Sequence, residues 1–275
     1  MIDVVLLPGR DRSVRRRHPW VLSGAVARVE GEAAPGAWVR VCSAEGEALG
    51  FGHWSPASQI RVRLLGFGKD APDDGLVADR IAQAVARRVA DPLLADTDAV
   101  RLVNGEGDGL PGLVADRYGE LVVVRLSTAG MDARRALVAD ALREATGAAA
   151  GFERPDAAAA RREGMAAQQA PLWGDPPGAP LGIHERGRRY LVDATGGQKT
   201  GFYLDQRDAR DLVQRLASGR RVLDLFAYTG GFSIAAGRAG ARHVTTVDLA
   251  RPAVAAACDH WALNGLDPAA HEGVT

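Results

Sequence analysis

The chain has 275 residues, of which 47% are hydrophobic and 25% are charged, as in packed globular proteins and unlike disordered ones. Its 34 basic and 34 acidic side chains balance, which argues against a histone-like polyanion binder but allows a local basic face. Two distant cysteines, Cys42 and Cys258, make neither a disulfide framework nor a zinc site, so we expect a reducing cytoplasm and no metal. We expect neither a signal peptide nor a membrane-spanning segment, and no membrane partner.

Residues 1–72 are predicted to form a β-rich domain. Apolar runs at residues 4–7, 38–42 and 60–65 are separated by Gly and Pro, a pattern typical of short strands joined by turns. The polar stretch 71–75 is rich in turn-forming residues and predicts a linker to the next domain.

The next region, residues 73–188, is predicted to be a central α+β domain. Hydrophobic periodicity predicts two helices, over residues 79–94 and 132–146. Asp132 suits the N-cap of the second helix, and Gly147 suits its end. Strands are predicted between the helices, at residues 112–115 and 121–126.

From residue 189 to residue 275 strands and helices alternate. Such alternation predicts βαβ units and a parallel sheet. About two full units fit before residue 275, whereas a doubly wound sheet usually has five or more strands. We therefore expect an incomplete sheet, with predicted strands at 189–193, 222–226 and 243–248 and helices at 206–217, 232–239 and 252–264.

The strongest local signal is the segment 222–233, VLDLFAYTGGFS. It predicts a buried strand, a turn containing Gly230, and a helix, so a ligand can approach the backbone closely at a helix N-terminus. Asp248 ends the next predicted strand, where a carboxylate can accept hydrogen bonds from two ribose hydroxyls. The alternative is an ordinary tight βα turn with a buried aspartate.

This turn differs from the G-x-G-x-x-G pattern of dinucleotide-binding proteins. It has one Gly pair and the bulky residues Phe226 and Tyr228, which make a poor cradle for a pyrophosphate. A nucleoside without phosphates, packed against aromatic rings, suits it better. The pattern favours S-adenosylmethionine over a nicotinamide dinucleotide, and disfavours a nicotinamide-dependent oxidoreductase.

Several motifs, in this order along the chain, resemble the ribosomal RNA large subunit methyltransferase I family. Members of that family are class I methyltransferases that form 5-methylcytosine in large-subunit (23S) ribosomal RNA. RHPWV at 17–21 and SPASQIR at 55–61 resemble its N-terminal RNA-binding PUA domain, and RLVNGEGDGLPGL at 101–113 its central domain. DATGGQKTGFYLDQR at 193–207 and LDLFAYTGGF at 223–232 resemble its methyltransferase domain. The resemblance implies a PUA-like barrel, a central α+β domain and an incomplete Rossmann-like methyltransferase sheet.

The resemblance also implies a cofactor, S-adenosylmethionine, and residues that bind it. The segment from Gln198 to Arg207 would pack over the cofactor, the turn from Asp224 to Gly230 would surround its methionine end, and Asp248 would hold its ribose. The expected cofactor-binding residues are Thr200, Asp205, Gln206, Asp224, Phe226, Tyr228, Thr229, Gly230 and Asp248.

The same resemblance implies chemistry that these residues do not supply. Enzymes of this type attack carbon 6 of cytosine with a Cys thiolate, and the family's Cys and its Asp-Pro-Pro loop are expected beyond residue 275. Cys42 and Cys258 are interpreted as small core residues, and no catalytic residue is assigned. We therefore expect the chain to be a fragment that binds the cofactor weakly or not at all and transfers no methyl group.

Basic residues cluster near the N-terminus, where RNA contact is expected. Arg15, Arg16 and Arg17 suit phosphates, and Trp20 could stack a base. Composition alone leaves open a solvated loop with Trp20 in the core, whereas the PUA resemblance favours RNA. A non-catalytic RNA-binding protein with a vestigial methyltransferase fold stays open as the alternative function. The sequence defines neither the target nucleotide nor the oligomeric state.

Overall fold

The computed structural model describes residues 1–178, 180–197 and 199–275. These form two compact units, one of residues 1–91 and 101–176 and the other of residues 92–100 and 177–275. The division into domains at residues 72 and 188 stays a prediction. Across the described ranges, no helix has both the length and the apolar character needed to cross a membrane. The same residues contain no group of three or more His, Cys, Asp and Glu side chains that could hold a metal ion.

The first unit begins with a six-stranded sheet, which confirms the predicted β-rich region. Its strands are β1 (Ile2–Leu6), β2 (Trp20–Leu22), β3 (Val26–Glu30), β4 (Trp38–Cys42), β5 (Ala48–Trp54) and β6 (Ile60–Phe67), with helix α1 (Arg12–Arg15) before β2. The strand order is β2-β6-β5-β4-β1-β3. Within this sheet β1 and β4 pair in parallel, and the other described strand pairs are antiparallel. Valines that alternate along the strands, among them Val4, Val39 and Val62, are fully buried and form the core.

The rest of the first unit is a second sheet with helices beside it. Its elements are α2 (Gly75–Val89), β7 (Ala99–Asn104), β8 (Leu113–Tyr118), β9 (Leu121–Leu126), α3 (Ala129–Asp132), α4 (Arg135–Thr146), β10 (Ala150–Glu153), α5 (Ala157–Glu163) and β11 (Ala170–Trp173). The strand order is β11-β10-β9-β8-β7. Strand β7 continues from the second unit into the first, since its first two residues lie within 92–100.

The predicted helix over 132–146 is wrong at its start. The chain forms two helices here, and Thr128 caps the first, α3, by accepting a hydrogen bond from the Met131 amide. Asp132 is the last residue of α3 and accepts a hydrogen bond from Arg135 instead. Apolar residues continue across the boundary between α3 and α4, and for this reason the sequence pattern predicted a single helix. The predicted end is confirmed, because Gly147 takes the left-handed conformation at φ +61°.

The glycine-rich segment 104–112 connects parts of the first unit. The Asp108 carboxylate accepts hydrogen bonds from Arg87 and Arg88 of α2, at 2.8 and 2.7 Å. Gly112 has φ +88°, and a Cβ there would lie 2.2 Å from Cγ2 of Thr128, so only glycine fits. The Glu106 carboxylate accepts a hydrogen bond from the Trp20 indole at 2.8 Å. The segment therefore ties α2 and β2 to the second sheet.

The second unit starts with a hairpin and continues as a parallel sheet. Its elements are β12 (Leu181–Glu185), β13 (Arg188–Val192), α6 (Arg207–Leu216), β14 (Arg221–Leu225), α7 (Gly231–Arg238), β15 (His243–Val247), α8 (Arg251–Leu263) and β16 (His271–Val274). Strands β12 and β13 pair antiparallel, while β14, β15 and β16 pair in parallel in that order. The predicted parallel sheet is confirmed for the strands at 222–226 and 243–248. The strand predicted at 189–193 instead forms β13 in the separate antiparallel hairpin, and the prediction missed β16. Its sequence, HEGV, has no apolar run, and pairing with β15 gives it its conformation.

A buried carboxylate joins the hairpin to α6. Glu185 is fully buried and accepts hydrogen bonds from Arg210 at 2.8 and 2.6 Å and from Arg188 at 3.2 Å. The Arg207 guanidinium lies 3.3 Å from the same carboxylate. Removing one partner of such a buried cluster typically costs about 3–5 kcal/mol, because the remaining charges lose their compensation. Glu185 therefore fixes the orientation of α6, whose N-terminal end lies near the turn that follows β14.

The parallel sheet has a face that the described residues leave uncovered. Leu223 and Leu225 of β14 are 62% and 55% exposed, whereas Asp224 between them is buried. Parallel sheets are normally covered on both faces, so exposed leucines on a parallel strand are unusual. Helices α7 and α8 lie against the other face.

His53, on β5, is a buried imidazole beside charged neighbours. It is 2% exposed, and its ring lies edge-on to Trp38 with the centroids 4.4 Å apart. Burial, together with the positive charge of Arg134, lowers the pKa of His53 to about 3, while Asp74 opposes the shift. The folded first unit therefore holds this imidazole neutral.

The first unit should lose stability as the pH falls from about 6.5 toward about 3. In that window the unfolded chain binds a proton at His53 and the folded chain does not. The free energy of unfolding should drop by about 2 kcal/mol between about pH 7 and about pH 5. Urea unfolding of the wild type and of His53→Leu, followed by tryptophan fluorescence, isolates this contribution. An equal pH dependence in both proteins would contradict it.

Candidate cofactor site

The turn after β14 takes a backbone conformation that side chains rarely adopt. Phe226, Tyr228 and Gly230 all have positive φ, at +56°, +50° and +74°. For the two aromatic residues this conformation is strained, and such strain concentrates at functional sites. At Gly230 a Cβ would lie 2.7 Å from the Cβ of Ala257, so glycine is required. The turn thus brings its backbone close to α8 and leaves Phe226 88% exposed.

Asp248 holds this turn from the end of β15. One of its carboxylate oxygens accepts a hydrogen bond from the Tyr228 amide at 2.8 Å, and the other accepts one from the Ala250 amide at 2.9 Å. The side chain is half-buried and lines the pocket formed by the turn. A carboxylate oxygen accepts more than one hydrogen bond. Asp248 can therefore hold the turn and also accept hydrogen bonds from ribose hydroxyls.

Asp224 has a different position from the one expected. Its carboxylate is buried and accepts hydrogen bonds from the Ser233 amide at 3.1 Å and from the Ser233 hydroxyl at 2.7 Å. Burial raises the pKa of Asp224, against the opposing effect of these two hydrogen bonds. The chain of contacts continues from Ser233 to Thr246 at 2.7 Å and from Thr246 to His271 at 2.8 Å. Asp224 therefore anchors α7 beneath the turn and links it to β16.

A pocket of about 370 Å³ opens beside the turn. The structure brings five of the predicted residues together around it: Gln206, Phe226, Tyr228, Thr229 and Asp248.

The other four predicted cofactor-binding residues do not line this pocket. Asp224 accepts hydrogen bonds from Ser233 of α7, and Gly230 packs against Ala257 of α8. Thr200 is buried, and Asp205 accepts a hydrogen bond from Lys199 at 3.0 Å. Gln198, the first residue of the segment expected over the cofactor, lies outside the described residues. The assignment of all nine residues to cofactor binding stays a prediction.

The pocket also has walls that were not among the predicted site residues. Tyr203 stands edge-on to Tyr228, with ring centroids 5.6 Å apart. The Arg210 guanidinium lies over the ring of Phe202 at 4.8 Å while also pairing with Glu185. The sequence signal for these walls is the aromatic pair Phe202-Tyr203 just before the Asp205-Gln206 motif. Aromatic rings beside a carboxylate suit a flat base joined to a ribose, and the residues present fit an adenosine-containing cofactor.

Neither cysteine is among the described residues that line this pocket. Cys42 is buried in β4, which confirms its interpretation as a core residue, and burial raises the pKa of its thiol. The same interpretation is wrong for Cys258, which is exposed on α8. Its sulfur lies beside β16, where a Cβ added at Gly273 would be 3.1 Å from it. Strand β16 is the outermost strand described in this sheet, so the thiol keeps contact with solvent.

The residues predicted to contact RNA lie in the first unit. Arg15 is exposed and paired with Asp11 at 2.6 Å and with Glu47 at 2.5 Å. Arg16 and Arg17 are exposed. Trp20 is 37% exposed and borders an open groove of about 960 Å³, so it does not lie in the core. Arg10 and Arg12, rather than Arg15, Arg16 and Arg17, line that groove.

Two parts of the chain match models of known protein families. Residues 4–67 match the model of a PUA-like domain, and residues 117–271 match that of an S-adenosylmethionine-dependent methyltransferase. A curated protein of Salmonella arizonae, "Ribosomal RNA large subunit methyltransferase I", is 44% identical over 96% of this chain and 66% of its own length. The protein of the same name from Erwinia tasmaniensis is 42% identical over 97% of this chain and 67% of its own length.

The chain belongs to the ribosomal RNA large subunit methyltransferase I family. It spans about two thirds of the length of these curated relatives. A Streptococcus mutans structure assigned as a SAM-dependent methyltransferase aligns over the whole chain and 70% of its own, with TM-score 0.83 and 26% identity. A second structure, assigned as a methyltransferase and complexed with SAH, has TM-score 0.85, 26% identity and the same coverage. These relatives confirm the fold class and S-adenosylmethionine as the cofactor of the family.

Replacing Asp248 by Asn should weaken binding of S-adenosylhomocysteine at least roughly ten-fold, because hydrogen bonds to a charged group contribute about 1.5–3 kcal/mol. Calorimetry on the full-length protein measures this change. Asp259→Asn is the matched control, since it removes the same charge from an exposed position on α8. Equal affinity in the Asp248 variant and the wild type would exclude Asp248 from the cofactor site.

Proposed function

We propose that the full protein methylates carbon 5 of a cytosine in large-subunit ribosomal RNA, and that residues 1–275 supply its RNA-binding region and the first part of its cofactor site. The observation that carries the proposal is the 42–44% identity to ribosomal RNA large subunit methyltransferases along nearly the whole chain. The pocket between the strained turn and Asp248 supports it independently. The cytoplasm remains the expected compartment, because ribosomal RNA is the proposed substrate.

In this proposal the chain's own residues bind and orient the cofactor. Bound S-adenosylmethionine supplies an electrophilic methyl group. Asp248 accepts hydrogen bonds from ribose hydroxyls, and the rings of Tyr203 and Tyr228 flank the pocket and exclude water from it. Asp224, held by Ser233, fixes the N-terminal end of α7 beneath the ligand. Each of these groups is in place before binding, which reduces the ordering cost of binding.

Methylation at carbon 5 needs a nucleophile, because that carbon is unreactive on its own. A thiolate adds to carbon 6, carbon 5 then takes the methyl group, a base removes the carbon 5 proton, and the thiolate leaves. No cysteine is among the described residues that line the pocket. We infer that the thiolate is supplied from outside residues 1–275.

An Asp-Pro-Pro sequence does occur within the chain, at residues 175–177, although this motif was expected only beyond residue 275. It lies in the connection between β11 and β12, away from the three parallel strands in sequence, and Asp175 is exposed. Active groups of parallel α/β sheets gather at the carboxyl ends of the strands. We therefore assign no catalytic role to residues 175–177.

The full-length protein should transfer tritium from labelled S-adenosylmethionine to unmodified large-subunit ribosomal RNA, with the label at cytosine carbon 5. Residues 1–275 alone should transfer none, because no thiol reaches the pocket. Cys258→Ser in the full-length protein serves as the control and should be fully active. Activity of residues 1–275 that Cys258→Ser abolishes would contradict our assignment of Cys258 as non-catalytic, and transfer to another atom would contradict carbon 5 specificity.

RNA binding should depend on the arginines near the N-terminus. Changing Arg15, Arg16 and Arg17 together to Ala should flatten the dependence of log affinity on log salt, by about 0.7 for each phosphate that the variant no longer binds. Arg15→Ala alone should have little effect, because Asp11 and Glu47 already neutralise that side chain. Fluorescence anisotropy with labelled oligouridine gives both slopes. An unchanged slope in the triple variant would remove this cluster from the RNA site.

A further inference from the structure

Two grooves of the first unit meet at Trp20. The first groove, which lies beside the N-terminal arginines, contains Arg10, Arg12 and Leu22. The second groove, of about 550 Å³, is lined by side chains that include Gln59, Arg63, Glu106, Arg161 and Arg162. Trp20 and Gln59 line both grooves, so a chain leaving the first groove over Trp20 enters the second.

The acidic side chains of the second groove are already neutralised or hydrogen-bonded within the protein. Glu163 is 4% exposed, pairs with Arg63 at 2.8 Å and accepts a hydrogen bond from the Ser55 hydroxyl at 2.7 Å. Asp156 caps α5 by accepting hydrogen bonds from the amides of its first turn, at 3.0 and 2.9 Å. Glu106 holds the Trp20 indole. These carboxylates therefore repel an incoming anion less than isolated ones would.

Two cations on the rim of this groove have no such compensation. Arg161 and Arg162 are exposed in the last turn of α5. In the part of the chain that the structure describes, neither guanidinium takes part in an ion pair or hydrogen bond. Guanidinium groups bind phosphate in a forked geometry. The groove thus offers two free positive charges beside internally paired acids, and its rim attracts anions.

The aromatic ring at the junction is held in a fixed orientation. The hydrogen bond from the Trp20 indole to Glu106 fixes one edge, while His18 lies edge-on to the ring with the centroids 5.7 Å apart. Trp20 as a whole residue keeps 37% of its surface exposed. A fixed, partly exposed ring is a stacking platform for a base, and such stacking contributes about 1–3 kcal/mol per base.

We propose that the second groove is a binding site for single-stranded RNA, in which Arg161 and Arg162 contact phosphates next to a base stacked on Trp20. RNA binding would then extend from the six-stranded sheet onto α5. Glu106 holds the ring through its hydrogen bond to the indole. This inference rests on the proposed RNA-binding function and adds a site that the N-terminal arginine cluster does not include.

The test compares two double variants that remove equal charge from the first unit. Arg161→Ala with Arg162→Ala should reduce the salt slope for labelled oligouridine by about 1.4, since each of two phosphates contributes about 0.7. Arg28→Ala with Arg143→Ala is the matched control, because these exposed side chains pair with Glu30 and Asp140 away from the groove. Arg161→Lys with Arg162→Lys should retain most of the slope. Oligouridine containing 4-thiouridine should also crosslink to the peptide that contains α5.

The outcomes separate this proposal from the one on which it rests. Wild-type protein that binds no oligouridine would overturn the RNA-binding function together with this site. Wild-type binding with equal slopes in the two double variants, and no crosslink to α5, would overturn the second groove alone. A reduced slope in the Arg161 and Arg162 variant but not in the control, with the crosslink present, supports it.

Discussion

The hydrogen bond from the Tyr228 amide to the Asp248 carboxylate is the interaction on which the proposed cofactor site depends. Phe226 and Tyr228 occupy a left-handed conformation that neither favours, and such strain persists only where the surrounding structure imposes it. The hydrogen bond from the Tyr228 amide to Asp248 imposes it from the adjacent strand. The same carboxylate faces the pocket. One residue therefore both maintains the strained turn and presents the group that a ribose needs.

Buried polar groups support this turn from two sides. On one side, Asp224, Ser233, Thr246 and His271 form a hydrogen-bonded chain through the parallel sheet. On the other, Glu185 fixes α6 through Arg210, whose guanidinium also covers Phe202 in the pocket wall. Buried charges are favourable only when they are fully paired. The proposed cofactor pocket thus depends on side chains, such as Asp224 and Glu185, that do not line it.

In the first unit, the acidic side chains near Trp20 are paired within the protein. Its acidic groups near Trp20 are occupied by arginines, amides or the indole itself, while several arginines remain exposed. A protein without net charge can therefore still present a cationic track, because its acids are satisfied internally. The arrangement of charge, rather than its total, makes RNA a suitable ligand.

The sequence by itself determined the β-rich start, the parallel sheet, the turn at 222–233 and the family, because glycine placement and apolar periodicity are local properties of the chain. Tertiary structure decided what local pattern does not encode. Strand β16 forms because it pairs in parallel with β15. Asp224 lies beneath the turn because its carboxylate accepts hydrogen bonds from Ser233. Cys258 stays exposed because it packs beside β16, the outermost strand described in this sheet. Contacts between residues distant in sequence fix these positions, so they cannot be predicted from any single segment of the chain.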